Sequence, residues 1–269
     1  MFLNMDMEKA FDRMEWSFLL AILSKLGFSA IGVSWIRTYI STPSFSILLN
    51  GSPFGLISPV RGLRQGDPLS HFLFILGSKV FSRLMVKEER NGSLHGLQIT
   101  RNYTPIHHLL FADNLLIFGK ATVTVAATIK SCLDKYCRWS GQLVNAAKSS
   151  IRLRKNTNPS KTKRITSIIP YSSNPSTSLY LGLHILMGNS KKKAFHGIIE
   201  KVQSRIEGWR AKTLSQAGRL VLIKSVVAAL PSYAMSSLLL PNSFCSELDR
   251  IFKNIWWGFP ANKKKKTSP

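Results

Sequence analysis

Two carboxylates in the first half of the sequence are the strongest candidates for chemistry, because each follows an apolar, strand-like run. Asp6 closes the run that begins at Met1, and Asp113 lies in a short polar turn. Divalent cations such as Mg²⁺ prefer oxygen ligands and are often held by one or two carboxylates plus substrate phosphates. Two such ions can stabilise both the attacking and the leaving oxygen of a phosphoryl transfer. Because 113 − 6 = 107 positions separate the two aspartates, only the tertiary fold can bring them together.

The elements that must position Asp6 are predicted from the residues that follow it. Asp12 and Glu15 form an Asp-x-x-Glu signal that is typical of a helix start, and apolar residues follow at helical spacing. Gly27 suits the C-terminal cap of that helix, because glycine adopts a positive φ without strain. We therefore expect Asp6 at the junction between a short strand and a helix.

A hairpin and a long helix are predicted next. Asn50-Gly51 follows an alternating apolar run and is the strongest short signal of a tight hairpin. Asp67 is a favourable N-cap, and Pro68 is a favourable first helical residue. The apolar face of this helix is expected to comprise Leu69, Phe72, Leu73, Leu76 and Val80.

The second carboxylate is predicted at the tip of another hairpin. Residues 109–118 contain two apolar runs that are separated by the polar turn Ala112-Asp113-Asn114. A helix is expected over 122–139. Residues 152–178 are rich in Lys, Arg, Ser, Thr, Asn and Pro, which makes them the best candidate for a domain boundary. A helical pattern resumes from about residue 190.

The chain is strongly basic, with a formal net charge of +24. Residues 1–150 hold 16 basic and 9 acidic residues, whereas residues 151–269 hold 21 and 4. Such a charge indicates a polyanionic partner, usually nucleic acid and less often an anionic membrane surface. A solvated basic surface is the simpler alternative. Because 45% of the residues are hydrophobic, the sequence is expected to fold rather than to remain disordered.

Targeting and redox signals are few. The three cysteines form no CxxC pair, which argues against a zinc ribbon or a disulfide framework. The N-terminus lacks the basic-then-apolar pattern of a signal peptide. The longest apolar stretch, Leu220–Leu240, is interrupted by Lys224 and Pro231. We therefore expect an intracellular protein, of the nucleus or cytoplasm, without a transmembrane segment.

Either aspartate alone could simply cap a strand or shape a turn, but five surrounding segments resemble, in order, the motifs of LINE-type (non-LTR) retrotransposon reverse transcriptases. The Arg-Gln-Gly-Asp-Pro-Leu-Ser string favours non-LTR elements over retroviral or group II intron enzymes. Segments within 208–219 and at 256–258 resemble plant elements of this type, so the resemblance covers almost the whole chain. The five segments are Met5–Asp12 (motif A), Arg61–Ser70 (motif B), Phe111–Asn114 (motif C), Ser140–Asn145 with Lys148-Ser149 (motif D) and Tyr180–Gly182 (motif E).

The resemblance implies an α+β fold. Residues 1–151 would form the reverse-transcriptase palm, an antiparallel sheet with packed helices that carries motifs A to D. Residues 152–185 would be a basic connector with the motif E strand. Residues 186–269 would form a mainly helical, thumb-like region with a basic C-terminal tail. The family's fingers region precedes motif A, so we expect it to be absent from a chain that is truncated before that motif.

The resemblance also implies roles for individual residues. Asp6 and Asp113 would be the catalytic metal ligands, holding Mg²⁺ or Mn²⁺, and the motif D residue Lys148 would neutralise or protonate the leaving pyrophosphate. Asp12 is interpreted as a helix cap rather than a ligand. The nucleotide-binding residues would be Phe11, as a steric gate against a ribose 2′-OH, together with Gln65 and Gly66. The primer-side residues would be Tyr180, Leu181 and Gly182.

The sequence departs from the family at Asn114, which replaces the second Asp of motif C, and at His71, which replaces a usual Pro. An amide oxygen is a weaker Mg²⁺ ligand than a carboxylate. Three hypotheses follow. The first is an RNA-directed DNA polymerase fragment that uses an RNA template, a DNA primer and dNTPs, impaired by Asn114 and by the absence of the fingers. The second is a catalytically inactive, nucleic-acid-binding remnant of a transposon. The third is a pseudogene product without a stable fold.

Overall fold

The computed structural model divides the chain into two compact units, Met1–Ser178 and Leu179–Pro269. The predicted division into palm, connector and thumb-like region stays a prediction. The structure describes residues 1–100, 103–154, 156–171, 179–180, 183–184, 191–207 and 214–257.

The first unit combines antiparallel strands with packed helices. Its strands are β1 (Phe2–Asp6), β2 (Phe45–Leu49), β3 (Ser52–Ile57), β4 (His108–Phe111), β5 (Asn114–Phe118) and β6 (Ser150–Arg152). Its helices are α1 (Ala10–Arg13), α2 (Trp16–Lys25), α3 (Ala30–Ser41), α4 (Pro68–Arg90), α5 (Val123–Ser140) and α6 (Pro159–Ile168).

A four-stranded antiparallel sheet in the order β4-β5-β1-β6 forms the centre of this unit. The two inner strands are the apolar runs that the sequence predicted, and Leu3, Met5 and Ile117 on them are completely buried. Phe81 of α4 and Ile129 of α5 belong to the same hydrophobic core. Strand burial of this kind explains why the runs are nearly continuous in apolar residues.

The start of α4 is as predicted, and its buried face is predicted in part. The Asp67 carboxylate accepts a hydrogen bond from the Leu69 N–H at 3.0 Å, and Pro68 is the first helical residue. Of the predicted apolar face, Leu73 is buried, whereas Phe72 is 65% exposed. The other three predicted residues, Leu69, Leu76 and Val80, are partly buried against the core. The buried residues of α4 are Ser70, Leu73, Phe74, Gly77, Phe81 and Met85.

The prediction that Asp12 caps a helix is wrong. Asp12 lies inside the short helix α1, and Glu15 occupies the N-cap position of α2 without a side-chain capping hydrogen bond. Glu15 instead forms an ion pair with Arg61 at 3.5 Å. The extra helical turn between β1 and α2 gave no separate periodic signal, because four residues are too few to show one. Gly27 follows α2 with φ +90°, as predicted.

The β2–β3 hairpin turns at Asn50-Gly51, where both residues have positive φ, as that dipeptide predicts. Every residue of both strands is exposed. The hairpin is therefore held together by its own ladder and not by the core.

The basic segment after β6 is more structured than its composition indicated. Residues 159–168 form α6, and the Asn158 side chain caps it by accepting a hydrogen bond from the Ser160 N–H at 2.9 Å. Ile165 and Ile169 are fully buried in the core of the first unit, on the side of α5. Two isoleucines four residues apart supply the single apolar stripe that the surrounding polar residues obscured.

The second unit is mainly helical within the described residues, as the sequence pattern from about 190 predicted. Its core is separate from that of the first unit and includes Val202, Val227 and Leu248. Its elements are the paired strands β7 (Leu179–Tyr180) and β8 (Leu183–His184), then α7 (Lys191–Glu207), α8 (Gln216–Leu222), a π-helical turn (Ile223–Val227), α9 (Ala229–Ser237) and α10 (Asn242–Trp257).

Two helical runs, α4 and Gln216–Ser237, are long and apolar enough to cross a membrane by length and composition alone. Such runs are weak evidence, because the core helix of a soluble protein passes the same test, and α4 contributes several residues to the core of its unit. The expectation of no transmembrane segment stays a prediction.

Candidate functional site

The sheet brings the two predicted catalytic carboxylates to the same end. Asp6 is the last residue of β1 and pairs with Asn114, the first residue of β5. The Met7 N–H donates a hydrogen bond to the Asp113 carbonyl at 3.0 Å. Asp113 itself occupies the two-residue turn between β4 and β5, where Ala112 has φ +50°. The antiparallel pairing thus closes the gap of 107 residues.

The two carboxylates and Lys148 interact electrostatically. Partial burial raises the pKa of Asp6; the Lys148 charge lowers this pKa, and the Asp113 charge raises it. A carboxylate that is destabilised both by burial and by a neighbouring carboxylate is stabilised when a cation binds between them. Asp6, Asp113 and Lys148, which the sequence predicted as a functional set, therefore lie close enough together to influence one another.

The ligands available at this end of the sheet fit a cation that is completed by a substrate. The described residues contain no cluster of three or more His, Cys, Asp or Glu side chains that could enclose a metal. Asp6 and Asp113 offer two carboxylates, which is the incomplete oxygen set that Mg²⁺ shares with substrate phosphates. Such a donor set does not fit Zn²⁺, whose structural sites use four protein N or S ligands.

Asn114 is engaged with one of these carboxylates. Its Nδ2 amide donates a hydrogen bond to Asp113 Oδ1 at 3.0 Å. The Asn114 amide therefore occupies one carboxylate oxygen of Asp113 as a hydrogen-bond donor. An aspartate at position 114 would instead add a negative charge.

The segment after α5 holds the Asp6 backbone in place. The Asn145 N–H donates to the Asp6 carbonyl at 2.8 Å, and the Asp6 N–H donates to Ser149 Oγ at 3.2 Å. The Lys148 N–H in turn donates to Asn145 Oδ1 at 3.2 Å. Both backbone polar groups of Asp6 are thus satisfied by the same short loop that carries Lys148. The resemblance to motif D contained Asn145 and Ser149, but gave them no role.

Gln142 is a further residue whose role sequence reasoning did not predict. It is 3% exposed, and its Nε2 donates a hydrogen bond to the Ala10 carbonyl at 2.6 Å. The Glu8 N–H donates to the Leu143 carbonyl at 2.8 Å. These contacts fix α1 against the loop after α5, over a separation of 132 residues. No local sequence signal indicates this contact, because the burial of Gln142 becomes visible only in the fold.

Phe11, the predicted steric gate, belongs to α1, and its ring faces the first turns of α4. Its ring stacks on Phe74 with a centroid distance of 4.6 Å, and His71 lies against its edge at 5.5 Å. Its carbonyl accepts a hydrogen bond from the Leu63 N–H at 2.8 Å. The motif B segment and the motif A helix are therefore directly joined, and the Phe11 ring has a defined orientation.

The predicted nucleotide-binding turn, Gln65-Gly66, immediately precedes α4. Gln65 is exposed, and Gly66 has φ +84° with open space around the position of an added Cβ atom. The nearby Gly62 has φ +93°, and a Cβ there would lie 2.7 Å from the Asp12 carbonyl oxygen. Gly62 is therefore required by packing, whereas Gly66 leaves the surface of the turn open.

Of the predicted primer-side residues, Tyr180 lies within the described part of the chain. Tyr180 belongs to β7 and pairs with Leu183. Leu181 and Gly182 lie outside the described residues, as do 208–213 and the basic tail from 258. Their predicted roles stay predictions.

The family described as "Reverse transcriptase (RNA-dependent DNA polymerase)" matches residues 1–185. This chain belongs to the reverse transcriptase family. The match spans the sheet, the two carboxylates and the loop that carries Lys148, and it extends beyond the first unit to the β7–β8 pair.

Relatives of this reverse transcriptase chain confirm the resemblance to LINE-type retrotransposon proteins. A Xenopus laevis protein named "Transposon TX1 uncharacterized 149 kDa protein" is 26% identical over 95% of this chain and 19% of its own length. The "Retrovirus-related Pol polyprotein from type-1 retrotransposable element R2" of Popillia japonica is 31% identical over 54% of this chain and 20% of its own length.

The chain is also similar to plant proteins, as its later segments predicted. The Arabidopsis thaliana "Uncharacterized mitochondrial protein AtMg01250" is 51% identical over 25% of this chain and 55% of its own length. The chain spans no more than 55% of the length of any of the curated relatives it matches. Among solved structures, a telomerase from Candida albicans matches with a TM-score of 0.45 and 13% identity, over 95% of this chain and 43% of that chain.

Proposed function

We propose that this chain is the RNA-directed DNA polymerase fragment of a non-LTR retrotransposon, with residues 1–151 as palm and 186–269 as a thumb-like region joined by a basic connector. The observation that supports this most directly is the position of Asp6 and Asp113 at one end of the sheet, with the Lys148 charge acting on Asp6. Efficient synthesis would also require the fingers region that precedes motif A in this family.

In the proposed reaction, a primer 3′-OH attacks the α-phosphorus of a dNTP, and pyrophosphate leaves. Mg²⁺ or Mn²⁺ would supply electrostatic stabilisation of the attacking and leaving oxygens. Asp6 and Asp113 would bind the cation, and the bound cation would position the triphosphate. Lys148 would neutralise or protonate the leaving pyrophosphate.

The remaining proposed contacts select and orient the substrates. The Phe11 ring, held by Phe74, would exclude a ribose 2′-OH and so favour deoxynucleotides. Gln65 and Gly66 would lie beneath the incoming nucleotide, where the open side of the glycine permits close approach. Tyr180, Leu181 and Gly182 would lie beside the primer end. The RNA template and DNA primer would be met in the nucleus or the cytoplasm.

A second candidate function is a catalytically inactive protein that binds nucleic acid. The hydrogen bond from Asn114 to Asp113 favours it, because this amide takes the place of a negative charge beside the proposed cation. The net charge of +24 would then act only in binding to phosphates.

Primer extension on an RNA template separates the two functions. We expect measurable synthesis with Mg²⁺ or Mn²⁺, its loss in Asp6→Ala, and an increase of roughly tenfold or more in Asn114→Asp, because a carboxylate binds the cation more strongly than an amide. The matched control is Asp134→Ala, which removes a surface carboxylate that pairs with Lys130 on α5. Binding without synthesis in the wild type and in Asn114→Asp would support the inactive protein instead.

A further inference from the structure

The outer surface of α6 carries positive charge that forms no ion pair within the described residues. Five exposed cations lie on β6, on α6 and between them, and are called here the α6 cations: Arg152, Arg154, Lys161, Lys163 and Arg164. None of them forms an ion pair with another residue in the part of the chain that the structure describes. Asp134 and Glu200 are the nearest acidic residues in sequence on either side, so positions 135–199 contain no acid. Ordinary protein surfaces intersperse both signs of charge.

The fold presents this charge on a rigid element. Ile165 and Ile169 fasten α6 to the core of the first unit, and Asn158 caps its first turn. With its apolar stripe buried, α6 has no second apolar face to insert into a lipid bilayer, as an interfacial helix requires. A cationic helix of this kind fits a soluble, extended polyanion better than a membrane.

The α6 cations are also connected to the proposed active site by the chain itself. Lys148, whose charge acts on Asp6, lies two residues before the start of β6. Strand β6 pairs with β1 from Asn4 to Phe2, so Arg152 lies opposite Phe2, at the end of β1 away from Asp6. Four residues of strand correspond to roughly 13 Å. The α6 cations therefore begin roughly 13 Å from Asp6 along the sheet, a distance that an extended nucleic acid can span.

The side chains that would make the contacts can be distinguished from those that would not. The hydroxyls of Ser160, Thr162 and Ser167 donate hydrogen bonds within the helix or its cap. The lysine and arginine side chains are left to interact with phosphates, and such contacts carry no sequence information by themselves.

From these observations we propose that the α6 cations form a sequence-independent binding surface for the sugar-phosphate backbone of the template–primer duplex. The proposal rests on the proposed function, since that function supplies the duplex. It adds a binding surface outside the end of the sheet where Asp6 and Asp113 lie.

The test is the salt dependence of duplex binding by the full chain. An RNA–DNA hybrid of about 20 base pairs is titrated by fluorescence anisotropy, for the wild type and for the triple variant Lys161→Gln, Lys163→Gln, Arg164→Gln. Each lost phosphate contact lowers the slope of log K against log salt by about 0.9, so we expect a slope smaller by two to three, with affinity reduced about tenfold or more at low salt. Glutamine keeps the helix propensity of the replaced residues.

The matched control neutralises three exposed cations on another helix of the same unit, Lys79→Gln, Arg83→Gln and Lys87→Gln on α4. Equal effects of the two triple variants would overturn the proposal, because binding would then depend on total charge alone. An unchanged slope in the α6 variant would overturn it while leaving the proposed function intact. Wild-type chain that binds no hybrid, or that binds only anionic lipid vesicles, would overturn both. Unchanged circular dichroism of the α6 variant checks that the helix persists.

Discussion

Two glycines of the motif B segment illustrate how residue-level geometry separates packing from function. Gly62 and Gly66 both have positive φ, at +93° and +84°. Only Gly62 is enclosed: an added methyl group would collide with the Asp12 backbone, whereas at Gly66 it would enter open space. Two residues with the same chemistry and nearly the same backbone angle therefore have different reasons to be glycine.

We predict that Gly62→Ala destabilises the first unit by roughly 2–4 kcal/mol, since it combines backbone strain with a steric clash. Gly66→Ala should cost only about 1 kcal/mol, the strain alone, but should raise the KM for dNTP. Urea denaturation and steady-state primer extension measure the two effects. Equal losses of stability in both variants would contradict the assignment of Gly62 to packing.

At the scale of elements, a chain of hydrogen bonds ties β4 to α4. Ser82 Oγ lies 2.8 Å from His108 Nε2, and His108 Nδ1 lies 2.6 Å from His107 Nδ1. His107 Nε2 lies 3.2 Å from a Glu89 carboxylate oxygen. If His107 donates to Glu89, then His108 donates to His107 and Ser82 donates to His108, which satisfies every atom with both rings neutral. If both facing Nδ1 atoms carried a proton, neither N–H would have an acceptor in the other ring.

This arrangement predicts a stability that depends on pH. Burial, and then electrostatic repulsion from the neighbouring His107 ring, lower the pKa of His108 from 6.5 to about 4. Because the unfolded chain then binds more protons than the folded chain, the contribution is fully present above pH 6.5 and is lost as pH falls towards about 4.

Urea denaturation at several pH values within this window tests the prediction. We expect the wild type to take up about one proton on unfolding and His108→Gln to take up correspondingly fewer. Ser82→Ala is the control, because it removes a partner of His108 without removing a titratable group. A His108→Gln variant with the same pH dependence as the wild type would show that His108 is not the responsible group.

At the scale of the whole molecule, the described residues form two hydrophobic cores, and the chain carries a large excess of positive charge. Each unit buries its own apolar residues, whereas the net charge of +24 is carried largely by residues beyond position 150. Charge of one sign destabilises a compact state through self-repulsion, and at 0.1 M salt this repulsion is largely screened between exposed charges more than about 10 Å apart.

We therefore expect the midpoint of thermal unfolding to rise by several degrees between about 50 mM and about 500 mM NaCl, because screening weakens repulsion among exposed cations. Differential scanning fluorimetry of the wild type measures this. The α6 triple variant has a lower net charge and should show a smaller rise. A midpoint that falls, or does not change, would mean that self-repulsion contributes little to stability.

Much of the local structure was determined by the sequence itself. Asn50-Gly51, the Asp67-Pro68 helix start and the apolar runs around Asp113 specify their elements through backbone preferences that act within a few residues. The family motifs in the sequence likewise predict Asp6 and Asp113 as the metal ligands. Local patterns failed where burial decides: Phe72 is apolar but exposed, and α6 is polar in composition yet packed on the core.

What only the tertiary structure decided is how the candidate site is assembled. The register of β1 against β5, and the hydrogen bonds from Asn145 to Asp6 and from Gln142 to Ala10, join residues more than one hundred positions apart. No local preference encodes such pairings, because they depend on which buried polar groups find partners when the sheet and helices pack together.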